Sequence, residues 1–161
     1  MTIRLISFGY GHTAKGIPTA EVTYDVSGRR FRNPFHDPAL KNLTGLDQAV
    51  YDHVRATPGI EVLAQSAAAA AIGLTDETDG DVVLAFGCIG GRHRSVGLAR
   101  RTAELLELSG HQVEVEHRDV HEPLLPAGVH SRAGAPVREI TLGDSTPGRG
   151  LDPLPPHPRG M

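Results

Sequence analysis

The chain has 161 residues, 39% of them hydrophobic and 22% charged, with a formal net charge of −3, a composition that suits one folded domain. One cysteine excludes a disulfide framework and four-cysteine zinc modules, and four Phe and three Tyr without Trp leave no broad base-stacking surface. No stretch reaches the length of a signal peptide or a membrane span, so the expectation is a cytoplasmic protein with no membrane partner.

Residues Ile3 to Phe8 read as a short apolar strand ending at Gly9. After a glycine-rich loop, Glu21 to Val26 reads as a second strand, with Val22, Tyr24 and Val26 alternating against Thr23 and Asp25. Asn33 to Gly45 is turn-like, through Asn-Pro, Asp-Pro and Thr-Gly pairs. Helical spacing begins near Asp47, where Val50 and Val54 share a face with Leu46, and stops before Pro58. Five consecutive alanines favour a second helix over Glu61 to Ile72, ending at Gly73. Asp81 to Cys88 contains the unbroken apolar run Val82-Val83-Leu84-Ala85-Phe86, the mark of a central strand covered on both faces. An amphipathic helix follows from about Ser95 to Ser109, with Val96, Ala99, Ala103 and Leu106 on one stripe, and Gly110 stops it. Gln112 to Glu116 alternates as a fourth strand, giving a βαβ unit expected to lie parallel with a right-handed crossover. Val137 to Leu142 suits an edge strand. The expected fold is therefore α/β, a three-layer sandwich with a mainly parallel sheet. Residues 3–142 would form the domain, and the Pro/Gly-rich stretch 143–161 a mobile tail.

Charge is unevenly spread. The basic residues are 14 Arg and 2 Lys, and two acid-free stretches, Val26–His36 and Cys88–Arg101, hold seven of the arginines, so the remainder of the chain carries −10. Two cationic islands in an acidic body suit an anionic ligand. The second island contains Gly87-Cys88-Ile89-Gly90-Gly91-Arg92-His93-Arg94-Ser95-Val96, which joins the most apolar strand to the best helix. Open α/β sheets place ligands at that edge. Gly90 and Gly91 permit positive φ, the helix start offers unpaired N–H groups, and Arg92, His93, Arg94 and Ser95 add charge and donors. Together these form a strand–glycine loop–helix anion site suited to a phosphoryl group.

The Walker loop needs Gly-Lys followed by Ser or Thr, and the only lysines are Lys15 and Lys41, so that type of ATP hydrolysis is excluded on this chain. The dinucleotide fingerprint is absent as well. Cys88, five residues, Arg94 and then Ser95 is the spacing of cysteine phosphatases, where a thiolate attacks phosphorus and the arginine clamps its oxygens. In that alternative Asp119 or Asp25 would be the general acid, although Gly87 stands where those enzymes usually carry His. His117 and His121 are four apart, but residue 118 is Arg where a zinc-protease helix needs Glu, so no metal and no cofactor is assigned. A strand-end turn whose Asp119 pairs with a loop arginine is the simpler reading of His117-Arg118-Asp119, and the run Ala67–Ala71 is helix filler.

The glycine loop resembles the Gly-Cys-Thr-Gly-Gly-(Lys/Arg)-His-Arg-Ser-Val signature of the C-terminal domain of the RNase adapter protein RapZ family. Further matches stand in order at Ser7-Phe8-Gly9-Tyr10, Gly16-Ile17-Pro18, Asp25-Val26, Asn33-Pro34, Asp37-Pro38, Leu43-Thr44-Gly45-Leu46-Asp47 and His117-Arg118-Asp119. The resemblance implies that domain standing alone, without the family's P-loop half. It also implies a pocket lined by Cys88, Gly90, Gly91, His93, Arg94 and Ser95, with Asp25, Asn33 and Thr44 beside it. The family's domain is associated with small regulatory RNA and with an amino-sugar phosphate. The implied function is thus a regulatory, non-catalytic domain that binds a phosphorylated small molecule, a nucleotide or RNA, with a P-loop protein or a second copy of the chain as a further partner. Three departures matter: Ile89 replaces Thr, the loop Ser27–Arg32 is longer and richer in arginine, and the tail has no lysine-rich run.

Overall fold

Four strands, β1 (Ile3–Gly9), β2 (Val22–Asp25), β3 (Val82–Cys88) and β4 (Val113–His117), form one sheet in the order β2-β3-β1-β4. The structure, a computed structural model, describes residues 1–131. The expected strand at Val137–Leu142 and the tail at 143–161 lie outside the described residues. Every pairing is parallel, so the fold is α/β as expected and all four strands end on one edge. The run Val82–Phe86 occupies an interior strand, as its continuous apolarity requires. β3 and β4 are parallel but are not neighbours, because β1 lies between them and the connection passes over it.

The helices are α1 (Gln48–Arg55), α2 (Ile60–Thr78), α3 (Arg94–Leu108) and the short α4 (Ala127–Ser131). On one sheet face Leu5, Leu84 and Phe86 meet Ala64, Ala67 and Ala71 of α2 and Leu98 and Leu106 of α3 in a single core. The alanines of α2 are thus more than filler: Ala64, Ala67 and Ala71 are fully buried, and their small side chains let α2 approach its neighbours closely. On the other face Phe8 packs edge-on against Tyr10, with ring centroids 4.8 Å apart, and Arg4 pairs with Glu114 and Glu116 across the strands.

Two element boundaries differ from those the sequence suggests. α2 does not end at Gly73 but continues to Thr78, closed by Asp79 in the left-handed region at φ 51°. Thr75 is 3% exposed, so burying one more turn outweighs the backbone entropy that a single glycine costs. Leu46 does not share the buried face of α1. It is 44% exposed, and Tyr51 joins Val50 and Val54 in the core instead.

Candidate functional site

The glycine loop leaves the carboxyl end of β3 and is zipped to the loop after β1. The Tyr10 and Gly11 N–H groups donate to the carbonyls of Cys88 and Ile89, each at 2.9 Å. Only one of the two expected positive-φ glycines is found: Gly91 has φ 66°, and Gly90 does not enter that region. At Gly91 a Cβ would stand 2.6 Å from the Gly9 nitrogen and 2.8 Å from Asp119 Cβ, so this position admits only glycine. α3 starts at Arg94. Its first turn carries no acidic residue and, among the described residues, no side-chain cap, so none of these offsets the positive end of the helix dipole beside the cleft.

Arg92, His93 and Arg94 mostly hold the site together. The Nη1 of Arg92 donates to the carbonyl of Glu122 at 3.0 Å and its Nη2 to that of Asn42 at 3.0 Å, tying two separate turns. His93 is 4% exposed, and its Nε2 donates to the Leu43 carbonyl at 2.9 Å. Burial, with Arg92 and Arg94 adding repulsion, lowers its pKa to about 4, so the ring is neutral at pH 7. Arg94 is 4% exposed and places Nη1 within 3.2 Å of the carbonyls of Ser27, Gly28 and Phe31. Much of its donor capacity therefore orders the arginine-rich loop. Its Nε is buried without a partner among the described residues.

Two adjoining clefts open here, a tight inner one and a roomier outer one. They share Asn33, Arg94 and His130. The inner cleft adds Cys88, Gly90, Arg92 and His93, and the outer one Arg29, Arg32 and His36. The two cationic islands thus converge on one edge of the sheet, and among the described residues no carboxylate lines either cleft. The convergence is selective. Arg100 lies over the Tyr51 ring, 4.0 Å from its centroid, and Arg101 pairs with Glu61 and Glu104, so the far end of the second island serves packing.

Of the other residues singled out by sequence, Ser95 is buried behind the cleft, with its Oγ 3.2 Å from Cys88 Sγ. Asp25 ends β2 and accepts from the Ser27 N–H. Thr44 is not in either cleft: its N–H and hydroxyl donate to Asp47 in the turn before α1. Asp119 does not pair with an arginine of the glycine loop, because its neighbour Arg118 and the segment at the end of β1 offer nearer partners. Its carboxylate accepts from Arg118, from Lys15 Nζ at 3.0 Å and from the Gly9 N–H at 2.8 Å. Burial pushes its pKa up, but these bonds outweigh that and hold the group below the ordinary carboxylate range. An ionised Asp119 at neutral pH has no proton to give a leaving group. Cys88, the nucleophile of the phosphatase alternative, is 3% exposed. His117 bonds Ser7, with its Nδ1 2.8 Å from Oγ, and no group of three or more metal-binding side chains occurs among the described residues. The sequence gives no sign of His12, whose Nε2 lies 3.2 Å from the Gly90 carbonyl, or of the wall formed by Pro123, Leu125 and His130. Residues this far from the glycine loop enter through chain reversals that no local spacing encodes.

A parallel α/β sheet with a cationic cleft on its carboxyl edge, built on a strand–glycine loop–helix turn, defines the class. A family model described as the RapZ C-terminal domain matches residues 1–121, and the chain belongs to that family. A nucleotide-binding protein of Thermus thermophilus is 44% identical over 122 residues, covering 73% of this chain and 42% of the relative. Proteins of the same name from Sphingopyxis alaskensis, 39% identical over 123 residues (73% of this chain, 37% of the relative), and Heliobacterium modesticaldum, 38% identical over 125 residues (74% and 40%), are similar. The chain spans about two-fifths of the length of these curated relatives. No helix among the described residues is long and apolar enough to cross a membrane.

Proposed function

We propose that this domain is a regulatory module that binds a phosphorylated ligand, a sugar phosphate, nucleotide or RNA phosphate, in the cleft between the glycine loop and the arginine-rich loop. The observation that carries this reading is the meeting of Arg29, Arg32 and Arg94 on one cleft that, among the described residues, has no carboxylate and lies beside a helix start without a side-chain cap. Cationic walls in a concave, partly dry site raise the local concentration of an anion, and backbone N–H groups at a helix start suit phosphoryl oxygens. The relatives' name, nucleotide-binding protein, supports the same ligand class.

The test is titration of the purified protein with sugar phosphates, nucleotides and short structured RNAs, with Arg29→Ala and Arg94→Ala as comparison variants. Binding that weakens at least about fivefold in both variants supports the reading, since each removes a charge facing the ligand. Absence of binding across the panel, or binding by both variants equal to that of the parent, overturns it. A steep fall in affinity with salt would assign the ligand to RNA, a shallow one to a small phosphate. The phosphatase reading draws on the Cys88–Ser95 contact, in which the hydroxyl stands ready to donate to a thiolate. Hydrolysis of an aryl phosphate that is abolished by Cys88→Ser would establish it, and inactivity would retire it.

A further inference from the structure

Residues beyond the family-matched stretch 1–121 close one side of the cleft. Arg92 holds the Glu122 carbonyl, and Leu125 lies so close over Gly11 that a Cβ there would collide with it. His130 of α4 then stacks face to face on Phe35, with centroids 3.8 Å apart and planes 16° apart. The ring also reaches the glycine loop, with Cε1 3.8 Å from where a Cβ on Gly90 would stand.

Both ring nitrogens of His130 are buried and have no partner among the described residues. Native structures rarely leave such atoms unpaired unless something else satisfies them. The charged and titratable groups facing the ring are Arg94 of α3, His36 beside Phe35, and Lys41 in the turn beyond. Around the same cleft stand Arg92, His93 and Cys88, and among the described residues no carboxylate. An unpaired imidazole in such company is matched by an anion, because a cation would be repelled and a neutral group would leave the surrounding charge unanswered.

We propose that His130 is a ligand-contacting residue of this cleft, donating as an imidazolium to a phosphoryl oxyanion held between it, Arg94 and the Gly90 backbone. The inference rests on the phosphate-binding reading and adds to it a residue outside the family-matched segment. Without ligand, burial foremost and then Arg94, His36 and Lys41 hold the ring's pKa below the ordinary histidine value. An incoming dianion reverses that balance, so binding takes up a proton.

Inorganic sulfate is the probe, because it stays dianionic from about pH 5.5 to about pH 8 and any pH dependence then belongs to the protein. Histidine Cε1–H resonances are followed by NMR across that range with and without sulfate, in the intact chain and in His130→Gln. The expected result is a His130 midpoint that rises by about one pH unit or more on sulfate binding, about a tenfold gain in proton affinity. His130→Gln should bind sulfate about threefold to fivefold more weakly at about pH 6, where the ring is only partly protonated, and within about twofold of the parent at about pH 8. Three outcomes overturn the proposal while leaving the cleft an anion site: an unmoved His130 midpoint, equal binding by His130→Gln at the lower pH, or an equal loss at both pH values, which marks a packing role. If the parent binds neither sulfate nor any phosphate, the phosphate reading itself falls, and the proposal with it.

Discussion

Gly91 and Gly90 are adjacent, yet their substitution should have opposite consequences. Alanine at Gly91 combines a positive φ with contacts under 3.0 Å to Gly9 and Asp119, so Gly91→Ala should lower unfolding stability by about 2–4 kcal/mol in chemical denaturation. At Gly90 the nearest atom to a new Cβ is His130 Cε1 at 3.8 Å, and Gly90→Ala should stay within about 0.5 kcal/mol of the parent. Asp119 is the second residue on which the site depends, because it ties β1, the Thr13–Lys15 turn and the end of β4 to one carboxylate. Asp119→Ala leaves the buried Gly9 N–H without its acceptor and should cost about 3 kcal/mol, measured the same way. Sequence marks both residues, Gly91 in the glycine loop and Asp119 in the turn after the fourth strand. It points Asp119 to a loop arginine and gives no sign of Lys15, which is more than a hundred residues away and reaches it only because β1 and β4 are neighbours.

At the scale of elements, the amphipathic pattern of α3 and the apolar run of β3 were legible because each buries what its spacing dictates: Val96, Ala99, Ala103 and Leu106 are all buried. The end of α2 was not, because a glycine is a weak stop when the turns beyond it have somewhere to pack. Gly73 is exposed in mid-helix, and a methyl group added there would meet nothing within 4 Å among the described residues. Gly73→Ala should therefore stabilise the domain by about 0.5–1 kcal/mol, seen as a higher thermal midpoint. The loop 27–31 depends on a different element, since Arg94 bonds three of its carbonyls. In Arg94→Ala the backbone amides of residues 27–31 should exchange with solvent faster, while those of β3 keep their protection, as hydrogen exchange would read.

For the molecule as a whole, buried histidines set how stability depends on pH. His93 and His117 are both lowered from 6.5 to about 4, chiefly by burial, so across that window the unfolded chain binds protons that the folded one refuses. Their contribution is complete above about pH 6.5 and is lost as pH falls toward about 4, worth up to about 3 kcal/mol for His93 and less for the more exposed His117. Denaturation between about pH 7 and about pH 4 should show this fall, and His117→Gln should reduce its slope. Asp119, held below its ordinary range, should add a further loss at still lower pH. By itself the sequence determined the α/β class, the order of the strands along the chain, the glycine loop and its family, because these follow from local periodicity, steric freedom and contiguous motifs. Only the tertiary structure decided that β1 separates β3 from β4, that Arg29 and Arg32 face Arg94, and that Leu125 and His130 wall the cleft. Those are contacts between segments far apart in the chain, fixed by which surfaces bury one another.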